Sequence, residues 1–224
     1  MAKFLKSKGI SGKGKVLGAD TITVTPEWSS YWPGGSVPGS TKTPKTDFVI
    51  GKNKISLKSG SAAQLMSGGR NESIATFYTA LNSVEGMQKK MIDKLTKMFE
   101  GLAPASVAGS ELGKEIKKGK DKAVMQANAA HKELMGELKA IFAKNKQFAN
   151  AFAYEAMSGD VKFGRKSLGS CSHFLTTSFD GKKAALKKVS DKSYVNKIAN
   201  QMKVSVRFKS SSQKVGGKKT GKYK

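Results

Sequence analysis

The stretch TDFVIGKNKISLKSG, residues 46–60, constrains the fold more than any other part of the chain. Two β-rich runs flank Gly51-Lys52-Asn53-Lys54, and Gly and Asn tolerate the positive φ that a tight bend requires. The spacing predicts a hairpin pairing Ile50 with Ile55 and Phe48 with Leu57, which gathers four apolar side chains on one face. On the opposite face Val49 meets Ser56, and Asp47 meets Lys58. A slip of one residue splits the apolar face, so the hydrophobic pattern itself selects the register.

Around this hairpin the patterning alternates between strand and helix. Asp20–Val24 (DTITV) is β-branched and reads as a strand. The following PEWSSYWPGGSVPGSTKTP, rich in Pro, Gly and Ser, reads as an irregular loop. Trp28, Tyr31 and Trp32 either anchor that loop to the core or offer stacking faces to bases; the anchor is the commoner use of such rings. Past the hairpin, Ile74, Phe77, Tyr78 and Leu81 fall at i, i+3, i+4, i+7, and Val84, Met87, Met91, Leu95, Met98 and Phe99 form a second helical stripe. A long helix is expected from about Ser110 to Phe142, and a shorter one over NKQFANAFAYEAMSG. Strand character returns in SCSHFLTTSF and KVSVRFKSSS, with a short helix near Lys192–Met202 between them. This divides the chain into a basic N-terminal arm (1–19), a core (20–209) and a basic tail (210–224) with the composition of a disordered arm. The helical region 83–145 reads as an insertion or an interface.

Charge sets the partner class. Lys plus Arg number 41 against 16 Asp plus Glu, a formal net charge of +25, and only Arg70, Arg165 and Arg207 are arginine. Self-repulsion of that size is tolerated when the partner is a polyanion. Lysine grips phosphate as a point charge, whereas arginine reads guanine edges, so backbone binding is expected rather than sequence reading. Cys171 is the sole cysteine, which excludes a disulfide framework, and His131 and His173 cannot alone supply a zinc site. The charged start has no apolar core of a secretory signal, and no apolar run is long enough to span a membrane. A non-secreted protein of the cytoplasm is the simplest expectation.

One constellation carries chemistry. Ser56 and Lys58 share a strand face with Asp47 across from them, and Glu72 starts the helix that follows. Two carboxylates converging beside a lysine make a hard oxygen site suited to Mg²⁺ or Mn²⁺, which activates water and neutralises a scissile phosphate. Beside this stands a plainer reading, in which Asp47 and Lys58 form a cross-strand ion pair and Glu72 sits in a helix first turn where the dipole favours it. Glu155 is a further candidate carboxylate, with a solvent-facing place as its commoner fate. Structural roles are expected for His173 and Cys171.

The arrangement resembles the PD-(D/E)XK, or restriction-endonuclease-like, nuclease superfamily. There an acid ends one hairpin strand and (D/E)-x-K lies on the next. Here the proline and acid stand as Pro44-Lys45-Thr46-Asp47, and Ser56 replaces the acid before Lys58. Ser56-Leu57-Lys58 followed by Glu72 is similar to a variant that carries S-x-K on the strand and its glutamate on the next helix. The resemblance implies an α/β (α+β) fold with a mixed sheet flanked by helices. It also implies Asp47 and Glu72 as metal ligands, Lys58 as the catalytic lysine, the Leu57 carbonyl in the metal shell, and Ser56 and Glu155 in support. The wording of residues 40–80 is similar to proteins of tailed phages, and YEAMSGDVKFG (154–164) more loosely so.

The expected function is therefore metal-dependent hydrolysis of DNA phosphodiesters, in the host cytoplasm or a virion. The alternative is a non-catalytic virion protein that coats or protects packaged DNA ends, in company with other virion proteins or as an oligomer. RNA binding through the stacking aromatics is a third reading. The phosphate-binding residues expected are Lys3, Lys6, Lys8, Lys13, Lys15, Lys52, Lys54, Arg70, Arg207, Lys209, Lys214, Lys218 and Lys219. The lysines are not gathered opposite one apolar face, so no membrane-surface role is expected.

Overall fold

Apolar residues near the N-terminus decide where the chain begins to pack. The computed structural model describes residues 2–17, 22–33, 35–59, 65–66, 70–84, 93, 117–120, 122–178, 180, 182–202, 208–215 and 218–223. Helix α1 (Ala2–Ser7) and strand β1 (Gly14–Val16) occupy the segment expected to be a flexible arm. Charge alone suggested flexibility, but Leu5 and Ile10 are buried against Ile55 and Leu175 and so dock the segment on the sheet.

Strands β2 (Phe48–Ile50) and β3 (Asn53–Ser59) form the expected hairpin with a shifted register. Phe48 pairs with Ile55, Val49 with Lys54 and Ile50 with Asn53, around a two-residue Gly51-Lys52 bend. Gly51 has φ +57, the left-handed conformation such a bend demands. The shift is two residues, so every side chain keeps its expected face while every pairing changes. Asp47 therefore lies across from Ser56 rather than Lys58.

The sheet continues through β4 (His173–Thr177), parallel to β3, and β5 (Ala184–Lys188), antiparallel to β4. Its order is β1-β2-β3-β4-β5, a mixed five-stranded sheet with helices on both faces. One face carries α1. The other carries α5 (Lys146–Ser158) and α7 (Lys192–Gln201), through Ala149, Ala153 and Met157 and through Val195 and Ala199, packed on Phe174 and Val189. Strand β5 was not foreseen, because AALKK is short and half lysine at its end.

Outside the sheet, α3 (Arg70–Asn82), α4 (Lys122–Lys144) and α5 share a second core. Phe77, Leu81, Leu134, Leu138, Ile141 and Phe148 are its buried members, and Phe77 and Phe148 meet edge-on with centroids 4.8 Å apart. The sequence caps α5 at both ends. Asn145 accepts from the Phe148 amide at 2.8 Å, and Gly159 closes the helix at φ +63. Helix α4 begins at Lys122 rather than near Ser110: Gly119 (φ +64) breaks the chain after residues 117–118, and 110–116 lie outside the described residues. Of the second helical stripe, 84–99, only residues 84 and 93 are described, and Val84 is buried in this core.

Three further expectations are corrected. Ile22–Thr25 forms no strand, and the stretch expected to be an irregular loop contains α2 (Pro26–Ser30) and a 3₁₀ turn, Gly39–Lys42. Thr25 caps α2 and Pro26 begins it, which carries Trp28 into full burial beside Trp32. These rings are structural anchors. In the tail, β6 (Phe208–Val215) and β7 (Lys218–Tyr223) pair as an antiparallel ribbon, where composition suggested a disordered arm. Among the described residues no helix is long and apolar enough to cross a membrane.

Candidate functional site

The residues singled out in the sequence lie just before β2, along β3 and in the first turn of α3. Asp47 is exposed, but its carboxylate is clasped from the opposite strand. Its Oδ2 accepts from the Leu57 amide at 2.6 Å and from the Ser56 hydroxyl at 3.2 Å. Ser56 is buried, so its place in S-x-K is that of a clamp on Asp47. Two residues on, Lys58 is half-buried with its ammonium 5.7 Å from the centre of the Phe174 ring, close enough for a cation–π contact.

Glu72 lies in the first turn of α3, as expected, but it is buried and paired. Its Oε1 accepts from Lys162 Nζ at 2.8 Å. Lys162 sits in the short helix α6 (Asp160–Phe163), between the rings of Trp28 and Phe163, each 4.9 Å from its ammonium. Burial lowers the Lys162 pKa, while Glu72 and Glu155 pull it upward.

Glu155 is buried rather than solvent-facing. Its two oxygens accept from the Val161 and Lys162 amides, both at 2.9 Å, so it seats the start of α6. Burial pushes its pKa up to about 7 despite those two hydrogen bonds and the nearby Lys45.

Lys45 links the parts. Burial lowers its pKa to about 8, with Glu72 and Glu155 opposing the shift and Lys162 and Lys58 adding to it. Its ammonium donates to the Leu65 carbonyl at 3.1 Å, and its stem lies against Gly159, where an added Cβ would approach Lys45 Cγ to 2.9 Å. Gly159 thus serves both the αL cap and this contact. The site is an alternation of three ammoniums (Lys45, Lys58, Lys162) with two buried carboxylates (Glu72, Glu155), and Asp47 at its rim.

Sequence reasoning missed Lys45 and Lys162. The second had one signal: a lysine between Val161 and Phe163, directly after a Ser-Gly-Asp helix start, is an unusual place for a solvated charge. Other assignments move away from the site. Lys54, expected on phosphate, donates to the Arg165 and Ser167 carbonyls and the Ser170 hydroxyl at 2.6, 2.7 and 2.7 Å and so holds the 165–170 turn. His173 is buried beside the Ser172 hydroxyl. Burial pushes the Cys171 thiol up to about 12, leaving it a small core residue. Lys3, Lys6, Lys8, Lys13, Lys15 and Lys52 are exposed, away from this cluster. Arg207 lies outside the described residues. Lys209, Lys214, Lys218 and Lys219 lie on the β6–β7 ribbon and Arg70 opens α3.

The donors suit a hard cation in type. Asp47 Oδ1 accepts no hydrogen bond among the described residues, and backbone oxygens lie on the adjoining strand. Glu72, however, already has an ammonium on one oxygen. No group of three His, Cys, Asp or Glu side chains able to hold a metal occurs among the described residues. No family model matches the chain, and neither a curated protein nor a solved structure matches it.

Proposed function

We propose that the chain is a DNA-binding protein of restriction-endonuclease-like type, working in a host cytoplasm or a virion, whose Asp47–Lys58–Glu72 site hydrolyses phosphodiester bonds with Mg²⁺ or Mn²⁺. The observation that carries the reading is the clasp of Asp47 by Ser56 and Leu57 on the S-x-K strand, with Lys58 half-buried on the same face. A mixed sheet with helices on both faces agrees with it, as does the net charge of +25. Asp47 and Glu72 would hold the metal, with the Leu57 carbonyl beside them, and the metal would supply an activated water. Ser56 fixes the Asp47 carboxylate, Lys58 orients or polarises the nucleophile, and Lys45 adds positive charge beside Glu72 and Glu155.

A second reading is favoured by one observation, the Lys162 ammonium on Glu72. In that reading the cluster is a balanced structural core, and the protein coats or protects DNA ends without turnover.

Supercoiled plasmid incubated with Mg²⁺, Mn²⁺ or EDTA separates the two. Metal-dependent nicking is expected from the wild type, falling at least about 100-fold in Asp47→Asn and Lys58→Ala, with DNA retardation kept in both. Retarded but intact plasmid in every lane would establish the second reading.

A further inference from the structure

The sheet ends at β5, and a run of exposed lysines accompanies that edge. Lys182, Lys183, Lys187, Lys188, Lys192 and Lys197 are all exposed between the β4–β5 turn and α7. Two acids accompany them: Asp180, in the β4–β5 turn, lies 3.7 Å from Lys182, and Asp191 is spent on capping α7, accepting from the Ser193 and Tyr194 amides. Backbone polarity adds to the charge. Val189 donates to the Ser172 carbonyl and Ser178 to the Lys183 carbonyl, so the odd-numbered positions of β5 bond inward to β4. By the same alternation the amides of Ala184, Leu186 and Lys188 turn to the open edge.

Register ties this edge to the candidate site. Lys58, Thr176 and Ala185 form one row across β3, β4 and β5, and Ser56, Phe174 and Lys187 form the next. Lys183, Ala185 and Lys187 thus share the face of Lys58. At about 4.8 Å per strand, the β5 backbone lies about 10 Å from that of β3. Thr176 and Ala185 between them are small and exposed, so the ground from edge to site is open.

We propose that β5 is the seat of the DNA backbone: one strand of a duplex runs along the open edge, its phosphates held by Lys182, Lys183, Lys187 and Lys188, and passes beside Lys58. This rests on the DNA-binding reading above. The six residue steps from Lys182 to Lys188 span about 20 Å, a length over which a duplex carries about twelve charges, enough to engage all four lysines. The competing use of such lysines is to deter another strand from pairing with the edge.

Two charge-matched variants decide between these uses. One replaces Lys182, Lys183, Lys187 and Lys188 by Gln; the other replaces Lys132, Lys139, Lys144 and Lys146, exposed on α4 and α5, likewise. Each lowers the net charge from +25 to 25 − 4 = +21. Affinity for a duplex of about 20 base pairs is measured against salt, with size-exclusion chromatography alongside. The β5 variant is expected to lose about 3–4 units of the log–log salt slope, at about 0.9 per phosphate contact, and the control variant less than about 1. A Lys187→Gln/Lys188→Gln pair should lose about half as much. Equal losses in the two quadruple variants would overturn the β5 seat alone. A β5 variant that self-associates with an unchanged slope would assign the lysines to edge protection. A wild type that leaves DNA unbound would overturn this proposal together with the DNA-binding reading.

Discussion

Lysine is put to opposite uses in two parts of this molecule. Beneath Trp28, Lys162 is buried, paired with Glu72 at 2.8 Å and covered by two rings. Along β5, Lys182, Lys183, Lys187 and Lys188 stand in solvent, and Asp180 lies 3.7 Å from Lys182. A buried charge is tolerated only where partners replace its lost water, so its geometry is fixed and its removal is felt by the whole fold. A solvated charge keeps its water and its freedom, contributes almost nothing to folding, and remains available to an outside anion. The net charge counts both alike, although only the second kind is open to an outside partner.

The contrast can be broken most forcefully at Lys162. Lys162→Met removes the ammonium that lies 2.8 Å from the buried Glu72 carboxylate, and a loss of about 3–5 kcal/mol is expected in urea denaturation. Adding Glu72→Leu should recover most of it; a double variant as unstable as the single one would show that packing, not charge, dominates.

Next in size is a pH effect. The Glu155 carboxyl titrates at about 7 in the fold against an ordinary 4.5. Between those values the unfolded chain has lost a proton that the fold still holds, so stability falls as pH rises from 4.5 to 7. Lys45 acts in the other sense: it deprotonates at about 8 in the fold against 10.5 unfolded, so stability recovers as pH rises across that window. Stability should therefore dip between about pH 7 and 8. In Glu155→Gln the acid-side decline, on the order of 2–3 kcal/mol, should flatten. Denaturation at stepped pH checks this, and an unchanged decline would assign it to other groups.

The smallest test compares two lysines directly. Lys54→Met removes three hydrogen bonds from the 165–170 turn and is expected to cost about 1–3 kcal/mol, whereas Lys187→Gln should stay within about 0.5. Equal losses would erase the distinction between the two kinds of lysine.

The hairpin shows how far the sequence could be read. Alternation fixed which face each residue takes, and so put Asp47, Ser56 and Lys58 together. It could not choose between registers two residues apart, because both keep the same faces. The short Gly51-Lys52 bend made that choice, and it exchanged an expected Asp47–Lys58 pair for the Asp47–Ser56 clasp. Helix α5 was legible because its start, Asn145, and its stop, Gly159, are both local signals. Lys162 was not, since its partner lies 90 positions away and its place between Val161 and Phe163 is a faint local mark among 38 lysines. Glu155 was given a surface place because carboxylates usually take one. What overrides that habit is the pair of amides at the start of α6, which only the folded chain supplies.

The parallel pairing of β3 with β4 has a consequence for how the molecule is made. Lys54 and Ser172, hydrogen-bonded neighbours at the start of that pairing, are 118 positions apart. At about 5–20 residues per second, the ribosome needs about 6–24 s to deliver the second after the first. Throughout that interval the β2–β3 hairpin has emerged with one edge of β3 unpaired, and Asp47, Ser56 and Lys58 already stand on it. The S-x-K strand is thus synthesised well before the strand that closes it in. Its serines and lysines are residues that a waiting strand edge can carry without recruiting a neighbour.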